Sequence, residues 1–167
     1  QGMSKNGRGK LLRGVRDGLR DAIDPRNQLA TFVPPIADKL KPRVIVFENV
    51  PEMEGTLVEN ESGELVELLD YLQFLLPDYL GTWKTVEFAD FGVPQRRQRL
   101  ITVFLRRDVA NAIGVTDSAS LAAAAYPIPT PSSSPNLFQR PWVTVDEVIG
   151  DLPSLDASTS EGARSEL

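Results

Sequence analysis

Two short polar stretches hold the residue types that could do chemistry. The first is Glu48-Asn49, which ends the apolar run Val44-Ile45-Val46-Phe47. Open α/β sheets bind ligands outside the carboxyl ends of their strands, and a carboxyl placed there can donate or accept a proton. The same two residues could equally cap the strand and hold the next loop. The second stretch is Gln95-Arg96-Arg97-Gln98-Arg99, just ahead of the apolar run 100–105. Arg97 and Arg99 stand two apart, so on a strand they share one face while Arg96 points away. Guanidinium groups grip phosphate and carbonyl oxygens bidentately. Such a row of charges could also do no more than keep an edge strand soluble and unpaired.

A broader signal lies at the start of the chain. Residues 1–26 hold seven basic side chains against three Asp, or +4, so the rest of this chain of net charge −5 stands at −9. Lys5, Arg8 and Lys10 fall in that segment. A basic arm on an acidic body can be an electrostatic footprint for phosphates, or merely a solvated loop.

What is missing narrows the chemistry. The 167 residues include neither Cys nor His. That excludes a disulfide framework, a zinc site of Cys/His type and any Ser-His or Cys-His catalytic pair within the chain. Acid–base work falls to Asp, Glu, Lys or Tyr. The GRGK stretch at 7–10 is no phosphate loop: Ser4 stands where its first Gly belongs and Leu11 where Ser or Thr belongs. No run approaches 18 apolar residues and no secretory signal is legible, so the expectation is a cytoplasmic protein without a membrane span or a metal.

These residues need elements to position them. The unbroken apolar run at 44–47 suits a parallel strand buried on both faces, with a neighbour on each side. The stretch 27–41 has apolar residues near helical spacing at Leu29, Phe32, Val33, Ile36 and Leu40, with Pro34 and Pro35 as a defect. The spacing of Leu65, Leu68, Leu69, Leu72 and Leu76 predicts one helix over 62–76, with Ser62 as N-cap. The runs 82–88 and 100–105 read as two strands able to pair antiparallel. Residues 108–141 look like an insertion or linker: part is Ala-rich, and five of the thirteen prolines lie in 127–141. A short helix follows, with a Thr144/Glu147 capping box and Gly150 at its end. The polar tail from 156 reads as disordered. Three strands are few for an independent α/β sheet.

Three signals in fixed order, Gln1-Gly-Met-Ser4, Glu48-Asn-Val50 and Gly92-Val-Pro-Gln-Arg-Arg-Gln-Arg99, resemble the motifs of the cytosine-C5 DNA methyltransferases. Thr144–Pro153 is similar to the stretch that leads into that family's target-recognition domain. The likeness covers 1–107 well and 142–153 fairly, and leaves 108–141 unmatched.

The resemblance implies an α/β fold, namely the later half of a Rossmann-like S-adenosylmethionine-dependent methyltransferase sheet. The residue before the Gln matching Gln1 would be the nucleophilic Cys, so this chain would begin one residue too late to contain it. It would be a partial catalytic domain, inactive alone, from a truncated gene, a split enzyme or a longer protein. Residues 1–107 would be catalytic, with 1–26 a mobile loop facing double-stranded DNA. A missing N-terminal segment or partner chain would bring the thiol and most of the S-adenosylmethionine site. The cytosine would be flipped out of the duplex. Glu48, kept protonated by desolvation, would serve N3 of the ring. Asn49 would brace the Pro-Cys loop. Arg99 would contact the flipped base or its phosphate, with Arg97 in support. Gln1 and Ser4 would touch the sugar-phosphate backbone, and Lys5, Arg8 and Lys10 would add salt-dependent phosphate contacts. The source would be a bacterium or phage. The rival reading is a non-catalytic DNA-binding remnant or accessory subunit.

Overall fold

The computed structural model describes residues 25–152. They form two compact units, one of residues 25–87 and 97–128, the other of 88–96 and 129–152.

The first unit opens with a 3-10 stretch, Pro25–Phe32, running into helix α1 (Val33–Leu40). Strand β1 (Val44–Asn49) follows, then the hairpin β2 (Leu57–Glu59) and β3 (Leu65–Glu67), and helix α2 (Leu68–Leu75). Strands β4 (Tyr79–Glu87) and β5 (Gln98–Arg106) come next, then helices α3 (Arg107–Ala112) and α4 (Ser118–Ala125). The main sheet has the order β1-β5-β4, all antiparallel. The antiparallel pairing expected of the last two runs is present, from Tyr79↔Arg106 to Glu87↔Gln98.

β5 is the central strand, and its alternation sends side chains to two cores. Leu100 and Phe104 pack with Met53, Val58, Leu68, Leu69 and Leu72 on one face. Leu105 joins Leu80, Ala110, Val115 and Leu121 on the other, beneath α3 and α4. Two hydroxyls tie α4 and its end to the sheet. Ser118 Oγ donates to Gly81 O (2.9 Å), and Tyr126 Oη donates to Ile101 O (2.8 Å). Burial pushes the Tyr126 phenol above its ordinary pKa. Gly81 is required by close approach: a Cβ there would meet Gln73 Oε1 at 2.5 Å and Phe104 Cε1 at 2.6 Å.

Three elements differ from expectation. β1 is not parallel and not buried on both faces. It pairs with β5 alone among the described residues, antiparallel from Val44↔Leu105 to Asn49↔Leu100. Val44 and Val46 are 46% and 61% exposed, because the core beneath α3 and α4 takes no residue from β1. Ile45 and Phe47, on the opposite face, pack against the other core.

The helix expected over 62–76 begins only at Leu68. Local turn chemistry overrides the leucine spacing: Asn60 Oδ1 accepts from the N–H groups of Ser62 and Glu64, both at 2.9 Å. Gly63 adopts φ +77°, which closes the β2–β3 hairpin. Leu65 is therefore a strand residue and 54% exposed.

In 27–41 the defect is a change of helix type. The 3-10 stretch ends at Phe32, and Pro34 and Pro35 lie in the first turn of α1, where a missing N–H does no harm. The buried side is Asn27, Pro34 and Ala37, while Leu29, Phe32, Ile36 and Leu40 are exposed.

The second unit gathers the turn Phe88–Arg96 with residues from 129 onward. Its two short strands, β6 (Pro131–Ser132) and β7 (Arg140–Pro141), are parallel. Thr130 N donates to Asp90 O at 3.3 Å. Helix α5 (Val145–Ile149) carries the expected capping box: Thr144 Oγ1 accepts from Glu147 N and Glu147 Oε2 from Thr144 N. Gly150 is its C-cap.

Candidate functional site

The pairing of β1 with β5 brings Glu48 and Arg99 together from two separate motifs. Glu48 lies opposite Ile101, and Arg99 is two residues from Ile101 on the same face of β5. Arg99 Nε stands 2.6 Å from Glu48 Oε1, an ion pair in which the arginine side chain is 17% exposed and the carboxylate 55%. Arg99 also donates from Nη1 to Gln98 O at 2.7 Å. The Glu48 carboxyl is thus half open, with a guanidinium beside it.

Asn49 is half-buried, and its Oδ1 accepts from the N–H of Val50 at 2.8 Å. That bond stiffens the strand's exit and leaves the amide NH2 free of any hydrogen bond among the described residues. Arg97 stands one residue before β5, so strand alternation begins just after it. Its N–H donates to Glu87 Oε1 at 2.5 Å, and the residue is exposed. Gln1, Ser4, Lys5, Arg8 and Lys10 lie outside the described residues.

Sequence reasoning passed over Glu87, which fixes the entry to β5 through Arg97 N. It also passed over Asp90 and Trp142 in the second unit. Trp142 Nε1 donates to Asp90 Oδ1 at 2.8 Å, and the Arg96 guanidinium lies 5.4 Å from the centre of the Trp142 ring. A lone tryptophan beyond a proline-rich stretch was the available signal.

The pair thus sets a carboxylate near the end of β1 beside an arginine near the start of the central strand β5. Comparison with known proteins gives the family. The chain matches the model of the C-5 cytosine-specific DNA methylase family over residues 1–165, and it belongs to that family. It is 33% identical over 128 residues to the type II methyltransferase M.XorII of Xanthomonas oryzae pv. oryzae, covering 75% of this chain and 30% of that protein. It is 36% identical over 93 residues to M.Bpa9945I of Bacillus paralicheniformis, covering 52% and 20%. With M1.HgaI of Avibacterium volantium it is 28% identical over 171 residues, covering 98% and 38%. The chain thus spans well under half the length of these relatives. Its fold is part of the S-adenosylmethionine-dependent methyltransferase fold of the family.

A cavity of about 530 Å³ in the first unit is walled by Gln28, Thr31, Asp38, Glu59, Glu61 and Tyr71 among others. It offers no basic side chain for a carboxylate and includes none of the site residues. No group of three or more acidic, His or Cys side chains able to hold a metal occurs among the described residues. No helix among them is long and apolar enough to cross a membrane.

Proposed function

We propose that this chain is part of a DNA cytosine-5-methyltransferase that moves a methyl group from S-adenosylmethionine to C5 of a flipped cytosine, in the cytoplasm of a bacterium or a phage host. The observation that carries this reading is the Glu48–Arg99 pair, which joins two of the family's motif positions at one end of the sheet. The family match over 1–165 supports it.

The chemistry asks for a group at N3 of the base. Adding a thiolate at C6 raises electron density on C5 and N3, and a carboxyl facing N3 can meet that charge with a proton or hydrogen bond. Glu48 takes this role. Arg99 aims the carboxyl, and its remaining N–H groups can hold an oxygen of the base or its phosphate. Arg97 supports the same site, and Asn49 uses its free amide to brace the loop that carries the thiol. Gln1, Ser4, Lys5, Arg8 and Lys10 contact the DNA backbone.

The chain has no Cys, so the thiol comes from a preceding segment or a partner chain that also holds most of the cofactor's site. Alone the chain is inactive. The edge of β1 away from β5 is unpaired among the described residues and is a natural place for that segment. Residues 142–167 lead toward a target-recognition domain.

The test uses a methylation-competent enzyme containing these residues. Glu48→Gln is expected to lower kcat about a hundredfold or more while duplex affinity changes little. Unchanged turnover would remove Glu48 from the chemistry. Adding a Pro-Cys-bearing N-terminal half to the separate chain should restore methylation. DNA binding without methylation in that mixture would favour a non-catalytic accessory role.

A further inference from the structure

The three arginines of the stretch 95–99 are not equivalent. Arg99 faces Glu48, while Arg96 lies over the face of Trp142 at 5.4 Å. The same indole donates its N–H to Asp90 Oδ1 (2.8 Å). Asp90 is held a second time, by Thr130 N–H to its backbone oxygen (3.3 Å). Arg140 N donates to Thr130 O, and Trp142 N to Ser132 O, so the β6–β7 pair carries both contacts to Asp90. The proline-rich segment thereby grips the turn Phe88–Arg96 by two hydrogen bonds and one cation–π contact. Indole is the best ring for such a contact, and Arg is the cation most often found over it.

We infer that Trp142 and Asp90 form a clamp that takes Arg96 as its third member, so that Arg96 is a positioning residue of the arginine stretch and not a DNA contact. Trp142 therefore belongs to the methyltransferase machinery although it touches no substrate. The inference rests on the DNA-methyltransferase reading only for its functional consequence; the clamp itself is a property of the free chain.

The experiment has two arms. In the first, the full chain is labelled with 5-fluorotryptophan and its two tryptophan resonances, Trp83 and Trp142, are followed by fluorine NMR without DNA. Arg96→Gln should shift the Trp142 signal and leave Trp83 in place, and Arg96→Lys should bring the signal most of the way back. An unmoved Trp142 signal in Arg96→Gln overturns the clamp. Trp142→Phe assigns the resonance and removes the bond to Asp90 while keeping a ring for Arg96.

In the second arm, binding of a labelled duplex is measured across salt concentrations. Losing a holding contact of this kind should raise Kd by no more than about threefold to fivefold, with the salt slope unchanged. A slope lowered by about one in Arg96→Gln would mark a phosphate contact and overturn the assignment. Should the unmodified chain show no salt-dependent duplex binding, the DNA reading fails, and the fluorine arm still decides the clamp.

Discussion

Val44–Phe47 on β1 and Thr102–Leu105 on β5 are nearly interchangeable as sequence: four residues each, dominated by Val, Phe, Ile and Leu. As structure they differ sharply. β5 is paired on both sides, and its residues 102–105 are all buried, with Phe104 fully enclosed. Among the described residues β1 is paired on one side, and its Val44 and Val46 are exposed. The buried strand supplies stability, while the open strand carries, near its end, the Glu48 carboxylate proposed to act on the base. Burial in this sheet therefore depends on position in the strand order, not on how apolar a strand is.

That contrast can be broken most directly at Phe104, whose ring meets Phe47 edge-on at 6.1 Å. Phe104→Ala should destabilise the chain by about 3–5 kcal/mol, read as a lower urea midpoint. A loss under about 1 kcal/mol would mean the central core can collapse around the gap, and the two strands are more alike than described. Gly81→Ala comes next. It forces a methyl against Gln73 and Phe104, and overpacking of this sort costs about 1–3 kcal/mol. A melting temperature equal to that of the parent chain would show that these side chains can give way.

Val46→Thr tests the open side. A surface exchange of this kind should stay within about 0.5 kcal/mol. A larger loss in the isolated chain would mean that β1 is covered in solution.

The smallest expected effect is a pH dependence. Asp117 caps α4, accepting from Ser120 N at 2.8 Å, and this bond to the Ser120 backbone, then its hydroxyl, holds the carboxyl below its ordinary value of 3.8. A depressed carboxylate stabilises the fold above its unfolded pKa and loses that contribution as pH falls through the folded value. Asp117→Asn should flatten the acid limb of a stability–pH profile below about pH 4, with its small loss of stability present at neutral pH and vanishing in acid. An acid limb identical to the parent's would assign the titration to other carboxylates.

How much was legible varies by element. The β4–β5 pairing could be read because both runs are strand-like, and little chain separates them. The capping box of α5 could be read because its contacts lie within four residues. The start of α2 could not, since the leucine spacing continues through a hairpin that Asn60 and Gly63 close locally. Glu48 and Arg99 could each be singled out by residue type and motif order. Their pairing could not, because it depends on the register of β1 against β5. The Trp142 clamp left almost no trace in the sequence: Trp142 lies far along the chain from Asp90 and Arg96, and aromatic–cation contacts have no periodicity to detect.

Residue types and local spacing by themselves determined the absence of thiol and imidazole, the strand runs, the turn-forming stretches, the short capped helix and the order of motifs that marks the family. All of these depend on neighbours a few residues apart or on composition. Only the tertiary structure decided which apolar strand is enclosed, which carboxylate meets which arginine, and which arginine is held by an aromatic ring. Those outcomes rest on strand order, register and side-chain packing between distant segments, where small free-energy differences between competing arrangements act far along the chain from any local signal.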